Sequence, residues 1–176
     1  MTDLAQEGEN RFRRHMASGD LEQMMPILLS GIEPEMLCYR KAPFLIMLQQ
    51  ELLRSIRYST YMTLVLINLG KEKQNSGTFR EVVGIVRRCI RTTDIIGDYG
   101  EDGILGIVLL HAPAGPSEVV TKRIREELAM FLKDPEFLDD SNRIISVVCP
   151  VDANSWTGLL NEAQTRLGLQ SSTEPG

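Results

Sequence analysis

The chain has 176 residues, 43% of them hydrophobic and 24% charged, the balance of a soluble globular protein with room for one domain and some chain at the ends. A formal net charge of −5 argues against broad binding to nucleic acid or to an anionic membrane. No apolar run approaches the roughly 20 residues that span a bilayer, and the polar, acidic stretch Met1–Asn10 is not a secretory signal, so a cytoplasmic location is expected.

Residues 1–32 read as a helical N-terminal extension. Leu4–Ala17 forms a charged helical pattern with Arg11, Arg13 and Arg14 crowded near its end. Asp20 is the expected N-cap of a second piece carrying the stripe Leu21, Met24, Met25 and Leu28, which Pro26 breaks or kinks. This extension either packs on the following domain or serves as a partner-binding or dimerising helix.

From Pro34 the chain alternates helical and extended patterns. Phe44, Leu45, Leu48, Leu52 and Ile56 recur at helical spacing, and Tyr61–Asn68 is an apolar, β-branched run of strand length. Lys71–Gly77 reads as a polar turn. Phe79, Val82, Val83, Val86 and Ile90 mark one face of a helix ending near Arg91. Ile95–Tyr99 and Ile104–Leu110 flank Gly100-Glu101-Asp102-Gly103, the pattern of a β-hairpin. Ser117 is the expected cap of a helix through Val119, Ile124, Leu128 and Phe131. Ile144–Cys149 is a further strand, Ser155–Leu169 a final helix, and residues 170–176 a disordered tail.

The order helix, strand, helix, hairpin, helix, strand, helix predicts an α+β domain of the ferredoxin-like or palm type with mixed sheet pairing. Cys38, Cys89 and Cys149 are too few and too scattered for a disulfide framework or a zinc site, and their apolar neighbours predict burial as small hydrophobes. His15 and His111 lie far apart, which leaves a nucleophilic Cys–His or Ser–His–Asp site without support.

Asp98-Tyr99-Gly100-Glu101-Asp102-Gly103-Ile104 resembles the hairpin signature Arg-Tyr-Gly-Gly-Asp/Glu-Glu-Phe of the GGDEF, or diguanylate cyclase, family. Glu33-Pro34 and Tyr39 resemble the family's opening Asp-Pro-Leu-Thr-Gly-Leu-Tyr segment, and Leu66–Lys71 its first core strand. Arg123-Ile124-Arg125-Glu126 is similar to its Ala-Glu-Arg-Ile-Arg helix, and Ile144–Val148 to its Thr-Val-Ser-Ile-Gly strand. The resemblance covers residues 33–169. It implies a GGDEF, nucleotide-cyclase palm-like fold, with a central, mostly antiparallel sheet flanked by helices.

The family joins two GTP molecules into cyclic di-GMP with the help of two metal ions, which need carboxylate ligands. Those ligands fall here on Asn68, which carries no charge, and on Asp102. Glu101 replaces the second signature glycine, where backbone must approach phosphate closely, and Gly103 replaces the acidic fourth position; Gly100 alone keeps its glycine. The loop after Asn68 is too short for the family's guanine-gripping segment, and the last helix holds no lysine. The resemblance therefore implies a degenerate domain with no catalytic residues, no metal and no cofactor.

Many family members also carry an inhibitory site, Arg-x-x-Asp, that binds the product. Arg91-Thr92-Thr93-Asp94 stands at that spacing, with Ile95–Tyr99 between it and Gly100. An Arg guanidinium can donate to guanine O6 and N7, an Asp can accept from its N–H groups, and Arg87 and Arg88 lie one helical turn away. An Arg in a last helical turn and an Asp entering a strand are equally ordinary structural choices. Two functions stay open: a cyclic di-GMP receptor in bacterial signalling, using Arg91, Asp94, Arg87 and Arg88, or a protein-interaction or homodimerisation scaffold that binds no nucleotide. Neither Arg91 nor Asp94 belongs to an apolar stripe, so both are expected to be dispensable for stability.

Overall fold

The computed structural model describes residues 32–33, 38–70, 76–100, 103–139 and 142–168. The expected helices before Ile32, their Asp20 cap, Glu101, Asp102 and the tail lie outside these residues.

The described strands form one six-stranded sheet in the order β1-β2-β4-β5-β3-β6. These are β1 (Ile32–Glu33), β2 (Cys38–Tyr39), β3 (Met62–Asn68), β4 (Ile95–Asp98), β5 (Ile104–Leu110) and β6 (Ile144–Cys149). All neighbours pair antiparallel except β2 and β4, joined in parallel through Tyr39 and Gly97. The helices are α1 (Lys41–Tyr58), α2 (Ser76–Cys89), α3 (Ala114–Leu132), α4 (Glu136–Asp139) and α5 (Trp156–Arg166). This is the expected α+β architecture with a mostly antiparallel sheet.

β3 explains why the sheet carries helices on both sides. Met62, Leu64 and Leu66 pack with α1 and α5, while Val65 and Ile67 pack with α2 and α3. A strand buried on both faces reads as a continuous apolar run, and that is the pattern of Met62–Asn68. Phe44, fully buried on α1, fits the sheet through a slot: Gly97 and Gly106 face each other across β4 and β5. A side-chain carbon on either would lie 2.5 Å from the Phe44 ring. Cys38, Cys89 and Cys149 are buried thiols, as expected.

Three local expectations change. Ser117 does not cap α3; the helix starts at Ala114 behind Pro113, and Ser117 is buried with its hydroxyl donating to the Ala114 carbonyl at 2.8 Å. Pro116 falls in the first turn, where a missing N–H costs nothing, so it does not delay the helix. The last helix stops at Arg166, because Gly168 adopts φ +70° and turns the chain away before Leu169. Ser76 and Gly77 belong to α2 rather than to the polar turn expected over Lys71–Gly77, whose residues 71–75 lie outside the described ones. The last helix begins at Trp156, with Ser155 as its cap, accepting from the Gly158 amide at 3.1 Å.

Candidate functional site

Two places carry the residues singled out by sequence, one at each end of β4 and so about 13 Å apart at ~3.3 Å per residue. The first is the hairpin end. Asn68 closes β3 opposite Ile104. Its side-chain Oδ1 accepts from the Gly70 amide at 3.0 Å, the local turn that Asn forms readily. The Leu69 amide donates to the Gly103 carbonyl at 2.7 Å, and the Asn68 amide to the Arg143 carbonyl at 2.7 Å. The chain leaving β3 is thus pulled across the base of the hairpin.

Gly70 and Gly103 both adopt positive φ, +54° and +78°. A side-chain carbon at 103 would meet Gly70 O at 2.5 Å, its N at 2.7 Å and its Cα at 2.9 Å. Gly103 is therefore required by contact as well as by conformation. At the other end of the hairpin turn, Gly100 (φ +94°) donates its amide to Asp98 Oδ1 at 2.8 Å. The methylenes of Lys41 fill the space where a Gly100 side chain would stand. Sequence reading missed Lys41 and Gly70, since nothing local marks a residue that fills space beside a distant turn. Among the described residues no three His, Cys, Asp or Glu side chains cluster as a metal site.

The second place is the start of β4. Asp94 is 6% exposed, and each carboxylate oxygen accepts from a backbone amide: Oδ2 from Arg91 at 2.8 Å, Oδ1 from Leu110 at 3.0 Å. The Asp94 amide returns a bond to the Arg91 carbonyl at 3.1 Å. Asp94 thereby ties the loop after α2 to the end of β5. It is a structural staple, contrary to the expectation that it is dispensable for stability, and no apolar stripe could have revealed this.

The arginines divide. Arg91 and Arg88 are exposed. Arg87 is half-buried and donates through Nη1 to the Asp94 carbonyl at 3.1 Å. Burial pulls its guanidinium below the ordinary arginine value, with Cys38, Tyr39 and Asp94 acting in the opposite direction. Arg91 and Asp94 are neighbours through their backbone, while their side chains differ sharply in access to solvent.

No family model and no curated protein matches the sequence. Solved structures do match. One is a DGC protein from Thermotoga maritima, 17% identical, covering 76% of this chain and 98% of that one with a TM-score of 0.59. The GGDEF domain of TpbB, or YfiN, from Pseudomonas aeruginosa is 14% identical, with 82% and 91% covered and a TM-score of 0.60. Diguanylate cyclase SiaD from Pseudomonas aeruginosa, solved with its activator SiaC, is 18% identical, with 93% and 70% covered and a TM-score of 0.58. The chain has the GGDEF-domain fold.

Proposed function

We propose that this GGDEF-fold domain makes no cyclic di-GMP and works as a binding module for a partner protein. The observation that carries the reading is the closure of the hairpin base. Asn68 spends its amide oxygen on Gly70, and Gly70 backbone lies against Gly103, where the family pattern calls for an acidic side chain. A two-metal phosphoryl transfer needs carboxylates and open backbone at that place.

Binding in place of chemistry is supported by an apolar surface at the far end of α1. Leu53, Ile56, Tyr58 and Tyr61 are 54%, 41%, 64% and 44% exposed, and Arg57 stacks over the Tyr58 ring at 5.7 Å. Aromatic and arginine side chains are the usual anchors of protein interfaces. The similar SiaD structure was solved in complex with its activator protein SiaC, a precedent for a partner in a protein that has this fold.

The second reading, a cyclic di-GMP receptor, is favoured by the exposure of Arg88 and Arg91 at the end of α2 and weakened by the engagement of both Asp94 oxygens. Two measurements decide. Incubation with GTP and magnesium or manganese should yield no cyclic di-GMP above a protein-free control, and turnover would defeat the proposal. Calorimetric titration with cyclic di-GMP should give no heat up to millimolar ligand; saturable binding would replace the interaction reading with the receptor.

A further inference from the structure

β6 is the last strand of the sheet among the described residues, and it is long and apolar. Such an edge presents a row of backbone donors and acceptors that another strand can pair with. In an antiparallel strand each residue directs its N–H and C=O to the same side, and successive residues alternate. The Arg143 carbonyl accepts from the Asn68 amide on β3. Odd-numbered residues therefore face inward, and Ile144, Ser146 and Val148 face the open edge.

Each of these three outward residues is met by a side chain from outside the strand. Arg125 on α3 donates through Nη2 to the Ile144 carbonyl at 2.9 Å. Arg166 on α5 donates to the Ser146 carbonyl. Asp152 accepts from the Val148 amide at 2.7 Å through Oδ2 and returns its own amide to the Val148 carbonyl at 2.7 Å. The arginine at the middle is itself held, by Asp152 at 3.2 Å and Glu162 at 2.7 Å. Two arginine side chains thus occupy the Ile144 and Ser146 carbonyls, while the Asp152 turn takes both the amide and the carbonyl of Val148, one through its side chain and the other through its backbone.

We propose that Arg125, Asp152 and Arg166 close the edge of β6 against a second copy of this chain. With the clamps removed, two β6 strands would pair antiparallel about a two-fold axis at Ser146, placing Ile144 of one copy opposite Val148 of the other. The contact is isologous and closes on itself as a dimer.

Disulfide trapping at the axis tests this in the full chain. Ser146→Cys puts two thiols opposite each other in the paired dimer and nowhere else, since the native cysteines are buried. Under mild oxidation Ser146→Cys with Arg166→Ala should form at least about ten times more cross-linked dimer than Ser146→Cys alone, a shift of one decade in association. Arg125→Ala opens the Ile144 end and should raise the yield in the same way, should Arg166→Ala fail to fold. Equal cross-linking with and without the clamps would overturn the proposal. So would failure of both alanine variants to fold, which would assign the arginines to the core rather than to the edge.

Discussion

Gly103 lies so close to Gly70 that a side-chain carbon on it would stand 2.5 Å from the Gly70 carbonyl oxygen. The shortened connection after Asn68 and the glycine at the fourth hairpin position are therefore one feature. Gly103→Ala and Gly103→Glu should each lose about 2 kcal/mol or more through positive φ and backbone overlap. For a chain of this size that lowers Tm by roughly 4–8 °C. Restoring the family hairpin with Glu101→Gly and Gly103→Glu together should destabilise the domain and give no cyclic di-GMP from GTP. Measurable product would show that the hairpin base can open.

Asp94 and Arg91 should separate cleanly in stability measurements without ligand. Asp94→Ala strands the Arg91 and Leu110 amides in a part-buried setting, at about 1 kcal/mol for each group, the low end for an unsatisfied donor. Asp94→Asn keeps one acceptor and should fall between alanine and wild type. Arg91→Ala, at an exposed position, should stay within about 0.5 kcal/mol. Urea midpoints in the order wild type, Arg91→Ala, Asp94→Asn, Asp94→Ala are expected. A wild-type midpoint for Asp94→Ala would remove the staple.

The slot for Phe44 predicts a coupled pair. Gly106→Ala should cost about 1–3 kcal/mol, because the added methyl overlaps a fully buried ring. Phe44→Leu alone leaves a cavity. In the double variant the two errors offset, so the combined loss should be smaller than the sum by about 1 kcal/mol or more. Strict additivity in a double-mutant cycle would show that the strands shift to admit the methyl.

The thiols should be silent in the native state. Burial pushes Cys149 up to about 12 from 9.0, with Asp152 adding in the same direction. Burial also raises Cys89, partly opposed by Arg123. Because the folded value of Cys149 exceeds the unfolded one, its neutral thiol contributes stability in full below pH 9. That contribution is lost as pH climbs toward 12. Disulfide-reagent labelling should therefore track unfolding at both pH 7 and pH 9. Cys149→Val should flatten part of the decline in stability above pH 9. Rapid labelling of Cys149 in the folded protein at pH 9 would contradict its burial.

Elements with their own periodicity were legible in the sequence: α1 and α2 through their apolar stripes, β3 through its unbroken run, the hairpin through its paired glycines. What stayed hidden depends on partners distant in sequence. β1 and β2 span two residues each and are defined by pairing with one another and, through Tyr39, with Gly97 some sixty residues on. α4 has four residues, too few for a helical period, and is held by Arg125 donating to the Phe137 carbonyl at 2.9 Å and by Arg143 stacked 4.8 Å from the Phe137 ring. At the candidate site, the positions of Asn68 and Gly103 were readable by resemblance. The Gly70 contact, the Lys41 filling and the stapling of Asp94 were not, because a carboxylate bonded to backbone leaves no mark on the residues around it.

Phe44 has one more consequence, a mechanical one. Tyr39 pairs with Gly97, and five residues later the Phe44 ring grips that glycine and Gly106 from the face of the sheet. The start of the described domain is thus riveted to the hairpin strands at two points, one in the plane of the sheet and one above it. A push or twist arriving along the chain ahead of Ile32 meets β1 and β2 first and passes from them to β4 and β5, through the Tyr39–Gly97 pair and the Phe44 ring, rather than to β3 or β6. The strand β4 that receives it carries the Asp98–Gly100 bond at one end and the Arg91–Asp94 staple at the other.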